Sequence, residues 1–147
     1  VHRLRPWVWA AAAYNLVISL PLLLPEAFEA NYRLINRIND GLNLGGERAV
    51  APDEAVNRLF VNFASLLLVF LALLLLYASR DLEHRLGIVF LNAAARIASV
   101  LLFAYYLLFA DAPRLLLGFV ICDLVFAVAF LVHIRRNRGL SPGTWLA

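Results

Sequence analysis

The chain has 147 residues, of which 63% are hydrophobic and 16% charged, and a formal net charge of +3. Its mean hydropathy of +0.80 excludes a soluble domain that must cover itself with polar surface. All thirteen basic residues are arginine and no basic cluster is interleaved with aromatics, so a nucleic-acid partner is not expected; the lone Cys122 cannot form an intrachain disulfide.

A helix needs about 20 apolar residues to cross roughly 30 Å of hydrocarbon. Four stretches approach that length, at residues 7–24, 56–78, 86–110 and 114–133. They predict an all-α integral membrane protein, a four-transmembrane-helix bundle forming one domain over residues 1–147. The start, "VHRLRPWVWAAAAYNLVISLPLLLP", has the charged front and apolar middle of a signal peptide. Its apolar part is long and no small-x-small site follows, so it is read as a retained membrane helix.

Pro25, Glu26 and Glu29 suit a first helical turn, where a missing donor is harmless and negative charge meets the dipole. Phe28, Tyr32, Ile35, Ile38 and Leu42 follow at helical spacing. The pattern predicts an amphipathic helix in the first extracytoplasmic loop, lying on the membrane face or capping the bundle. "DGLNLGGE" ends it, and Pro52, Asp53 and Glu54 reopen a helix that runs into the second span. There "LLLVFLALLLLYA" lacks the period-two polarity of a membrane barrel. "ADAP", between spans three and four, is a tight turn that makes them antiparallel neighbours.

With four crossings, both termini share one side. That side carries Arg3, Arg5, Arg80, Arg85, Arg135, Arg136 and Arg138, against Arg33, Arg37, Arg48, Arg58 and Arg114 opposite. The bias of seven over five places the termini in the cytoplasm. Trp7, Trp9 and Tyr77 near span ends fit interfacial anchoring.

Charged groups inside a membrane demand partners. Arg96 and Asp123 are the deepest. At 1.5 Å per residue each lies about 15 Å from the cytoplasmic end of its span, so antiparallel neighbours would bring them level as a charge-assisted pair. Asn92, Arg96 and Ser99 share one face of the third span, Arg58, Asn62 and Ser65 repeat that spacing on the second, and Asn15 and Ser19 are four apart on the first. These stripes predict a polar interior, with the pair at mid-depth and a chain of hydrogen-bonding groups leading outward to Arg58. In one role Arg96 and Asp123 fix helix register and the amides glue spans together. Interhelical hydrogen bonds contribute roughly 0.6 kcal/mol each, whereas inserting an arginine costs roughly 2.5–3.5 kcal/mol. In the other role the pair lines a small cavity for a polar head, an ion or a protonatable substrate.

No metal-ligand cluster, phosphate loop or nucleophile elbow is present, and no cofactor is predicted. His2, His84 and His133 lie near the cytoplasmic boundary, whereas haem ligation would need imidazoles facing each other within the bundle. Cys122 is read as a small packing residue. Tyr105 and Tyr106 suit aromatic packing or an interface belt.

At "YNLVISLPLLLPEAF", "YASRDLEHRLGIVFLNAAARIASVLL" and "LLGFVICDLVFAVAF" the chain resembles small bacterial four-helix membrane proteins of the DoxX-like kind. That resemblance implies four helices, an Arg96–Asp123 pairing and a bacterial inner-membrane location, and no activity. "RLFVNFAS" and "ARIASVLLFAYYLLFADAPR" are similar to motifs of the MAPEG family, which implies a glutathione-dependent membrane enzyme, with Ser65 standing where that family carries a glutamate. The leading expectation is a small accessory or stabilising subunit of a larger membrane assembly, for instance an energy-transducing one, whose partners are the bilayer and other membrane subunits. The alternative is a binding or transport module for a small amphiphile or ion at Arg96 and Asp123.

Overall fold

The computed structural model describes residues 2–136. They form five helices and no strand: α1 (Arg5–Leu23), α2 (Pro25–Gly41), α3 (Ala55–Ser79), α4 (Leu86–Phe109) and α5 (Leu116–Arg136). Four of them, α1, α3, α4 and α5, are long and apolar enough to cross a membrane, and the chain is a multi-pass membrane protein. The helices differ from the predicted spans mainly at their ends. Helix α1 begins at Arg5, with Pro6 in its first turn. Helix α5 opens only at Leu116, after Pro113 and Arg114, and runs to Arg136. Arg138 lies outside the described residues.

Helix α1 packs chiefly on α3 and α4 on α5, and lesser contacts of α3 with α4 and of α1 with α5 close the ring. Alternating direction puts the start of α1, the α3–α4 turn and the end of α5 at one end, called here the terminal end. At that end Arg85 donates to the Tyr77 carbonyl at 2.8 Å and lies 3.7 Å from the centre of the Tyr77 ring. A cation thus meets the last turn of α3, where the dipole favours it.

The opposite, loop end is covered by α2. Pro25 disfavours helical backbone at the residue before it, so Leu24 is extended and α2 turns away from α1 after a single residue. Seventeen residues span about 25 Å, enough to cross the bundle. Phe28 and Asn39 are its buried side chains. Asn39 fastens the far end: its Nδ2 donates to Gly45 O at 3.0 Å, and its Oδ1 accepts from Leu115 N at 2.9 Å. Glu47 N donates to Asp111 O and Arg114 N to Gly45 O, binding the first loop to the α4–α5 turn. Gly46 (φ +85) permits this approach, because a Cβ there would meet Ala112 O at 2.5 Å. The loop is further closed by Asn36, which accepts from Ala49 N and donates to Ala49 O, both at 2.8 Å.

The apolar core occupies the terminal half. Leu4, Val8, Ala11 and Ala12 meet Ala72, Leu75 and Ala78, together with Leu82, Leu86, Val89, Ala93, Phe130 and Ile134. Alanines on every membrane helix let the backbones approach closely. In the loop half this packing stops. No residue of α4 beyond Arg96 and none of α5 before Asp123 is buried, and the only buried side chains there on α1 and α3 are Ser19 and Ser65. The outer faces carry Leu101, Leu108, Phe109, Phe60 and Phe63, all more than half exposed, as lipid-facing helices require.

Candidate functional site

Where the core ends, Arg96 begins the polar layer. It is 5% exposed and is held by three helices. Its Nε donates to Asn92 Oδ1 one turn back on α4 at 3.0 Å. Its Nη1 donates to Asp123 Oδ1 on α5, forming the ion pair. Its Nη2 donates to Asn15 Oδ1 on α1 at 2.8 Å and to Ala11 O at 3.5 Å. The guanidinium also lies 4.8 Å from the Phe126 ring centre and 5.6 Å from that of Tyr14. Tyr14 in turn packs on Phe126 at 5.5 Å. Burying an arginine is tolerable because each of its three guanidinium nitrogens meets an oxygen and aromatic rings lie close to it.

Directly against this layer lies a cavity of about 150 Å³. Asn15, Asn92, Arg96 and Asp123 are its polar part, with Ser99 at the side; Ile18, Leu68, Leu71, Phe103 and Phe119 are apolar walls, and Tyr14 and Ala95 complete the lining. Phe103 and Phe119 stack at 6.5 Å and join the walls from α4 and α5. Ala95 is exposed as well as lining the cavity, so the space reaches the lipid-facing surface along α4.

The sequence stripes are only partly assembled. Asn15, Asn92, Arg96 and Asp123 meet as one network. Ser65 is buried, but its hydroxyl donates to Val61 O on its own helix at 2.8 Å. Ser99 likewise donates to Ala95 O at 3.2 Å, and Ser19 to Asn15 O at 2.6 Å. The expected hydrogen-bonded chain from the pair to Arg58 is therefore absent among the described residues. A serine hydroxyl in a helix finds a carbonyl four residues back more readily than a partner across a gap.

Asn62 and Arg58 belong to a separate cavity of about 150 Å³ near the loop end, bordered by Leu22, Leu23, Leu24, Pro25 and Phe28. Asn62 Oδ1 is buried there without a hydrogen-bond partner. Arg58 stands 5.1 Å from the Phe28 ring centre and 3.8 Å from Glu29 Oε1, and its Nε donates to Pro52 O at 3.4 Å. The Arg58, Asn62 and Ser65 set read from the MAPEG-like motif thus faces two different environments.

Sequence reasoning missed the aromatic lining. Phe103 extends the Asn92, Arg96, Ser99 stripe by one more turn, and Phe119 stands one turn before Asp123, so both had a periodic signal. Phe126, one turn beyond Asp123 on α5, had the same signal, whereas Tyr14 had none because it lies beside Asn15 in sequence and off the Asn15–Ser19 stripe. His2 and His84 are exposed at the terminal end, and His133 contacts Ala129 O within α5 at 2.7 Å. Among the described residues no three His, Cys, Asp or Glu side chains gather as a metal site. Compared with protein-family models, curated proteins and solved structures, the chain matches none.

Proposed function

We propose that this protein is an intramembrane binding module that receives the polar head of a small amphiphile from the surrounding lipid. The observation that supports this reading is the cavity of about 150 Å³ with apolar walls and one polar floor, reaching the lipid-facing surface where core packing ceases. A pocket mostly apolar with a few convergent polar groups is the usual form of a small-molecule site, and carriers also place such sites near the bilayer midplane. The Arg96–Asp123 pair is neutral as a unit, and its network orients the amides that face the ligand. Arginine bias supports cytoplasmic termini, with α2 and the Asn39 closure then on the outer side, and the DoxX-like resemblance supports a bacterial inner membrane.

The test is mass spectrometry of lipids retained after gentle extraction, comparing the natural chain with Ala95→Phe, which narrows the cavity without touching the Arg96 network. A species enriched on the natural chain and depleted on the variant supports the reading; identical profiles contradict it.

A second reading, an accessory subunit of a larger assembly, draws on the exposed aromatic group of α4. Tyr105 and Tyr106 lie 5.7 Å apart, and Tyr105 and Phe109 5.4 Å. A photoreactive side chain at Tyr105 giving one protein adduct of fixed mass supports this reading, and lipid adducts alone contradict it. DoxX-like or MAPEG-like kinship remains a proposal carried by the quoted motifs, and glutathione turnover tests the latter.

A further inference from the structure

The hydrogen-bond arithmetic around Arg96 specifies the ligand's head. A guanidinium has only donors, so every side chain around it must turn an oxygen inward. Asn15 Oδ1, Asn92 Oδ1 and Asp123 Oδ1 do so. Each amide then has its NH2 group directed away from Arg96, and Asp123 has one oxygen left. These three groups make no hydrogen bond among the described residues and none is sealed inside the protein, while their residues line the cavity. The site therefore offers two neutral amide donor groups and one anionic acceptor.

We infer that the cavity takes an uncharged, hydroxyl-bearing head, an alcohol or phenol carried on a hydrocarbon chain; the inference rests on the binding function proposed above. A hydroxyl oxygen accepts one hydrogen bond from each amide while its hydrogen is donated to Asp123 Oδ2, which gives all three groups a partner at once. Because Arg96 and Asp123 neutralise each other, a carboxylate or ammonium head finds no uncompensated countercharge to offset its own desolvation in hydrocarbon, and an ammonium also has no lone pair for the amides. A purely apolar head leaves three polar groups unpaired in hydrocarbon. The volume agrees, since a cavity of roughly 150 Å³ accommodates benzene.

The experiment uses the full chain in phosphatidylcholine nanodiscs and four probes of matched shape: 4-octylphenol, octylbenzene, 4-octylbenzoate and 4-octylbenzylamine. Background partitioning is measured on Ser99→Phe, which fills the cavity from a residue whose hydroxyl bonds only its own helix. Displacement of tritiated 4-octylphenol from the natural chain by the other probes gives the same ranking should that variant not fold. The phenol is expected to bind at least about tenfold more tightly than octylbenzene, from one hydrogen bond to a charged group, with both charged probes at background. Equal binding of octylbenzene, or tighter binding of the benzoate or benzylamine, overturns the head assignment and leaves the binding reading standing. Background binding of all four overturns both.

Discussion

Arg96 Nη2 donates to Asn15 Oδ1 across 2.8 Å, tying α4 to α1, two helices that sit diagonally in the ring. Together with the Asp123 pair on α5, this makes one side chain the junction of three helices at the depth where the apolar core stops. The cavity exists on the far side of that junction because Arg96, Asn92 and Asp123 end the close packing from below, and the α2 cap closes the bundle from above.

Removing one charge should be far worse than removing both. Asp123→Leu leaves Arg96 charged and buried without its carboxylate, and Arg96→Leu does the reverse; each should cost about 3–5 kcal/mol. The double Leu variant should recover most of that loss, because neither charge then needs partners. Reversible unfolding in bilayers by steric trapping measures the cycle, and simple additivity would argue against a direct pair.

Ser65 should behave as a small packing residue. Its hydroxyl is satisfied within α3, so Ser65→Ala should change stability by less than about 1 kcal/mol. Ser65→Leu overfills a buried position and should cost about 1–3 kcal/mol. The same unfolding assay reads both, and a large loss for alanine would point to an interhelical bond.

Closure of the loop end should depend on Gly46 more than on its neighbour. Both glycines have positive φ, but a Cβ at Gly45 meets nothing within 4 Å whereas one at Gly46 meets Ala112 O at 2.5 Å. Gly45→Ala should cost about 1 kcal/mol from backbone strain alone. Gly46→Ala should cost at least about 2 kcal/mol by pushing the first loop off the α4–α5 turn. Hydrogen exchange at Leu115 N, held by Asn39, should rise only in the second variant.

The α3–α4 turn should report pH through His84. The Asp81 carboxylate, 3.0 Å from His84 Nδ1, raises the imidazole above its ordinary 6.5, chiefly by their hydrogen bond, and is itself held below its ordinary 3.8 by the same bond. The histidine contribution is therefore complete below pH 6.5 and lost as pH rises through the raised value. The aspartate contribution is present above 3.8 and lost as pH falls through the lowered one. The turn is firmest between those limits. Titration by NMR should find His84 above 6.5, and Asp81→Asn should return it to the ordinary value.

The membrane helices and the amphipathic α2 were legible because length, composition and period report them directly. The level pairing of Arg96 with Asp123 was also legible, since a short turn fixes antiparallel neighbours and the helical rise then fixes depth. The limit came at neighbours without such a turn. Spacing shows that Arg58, Asn62 and Ser65 share a face of α3, but not that Ser65 is buried with its hydroxyl on its own helix while Asn62 and Arg58 border the α2 cavity. Nor does any period announce Asn39, whose two bonds lock α2 to a turn 76 residues away in sequence at Leu115.

The most direct measurement is solid-state NMR in bilayers, recording dipolar coupling between the Asp123 carboxyl carbon and the Arg96 guanidinium nitrogens. Strong coupling, retained in Ser99→Phe, is the predicted result. No coupling in the natural chain would contradict the junction and, with it, the polar floor on which the ligand site depends.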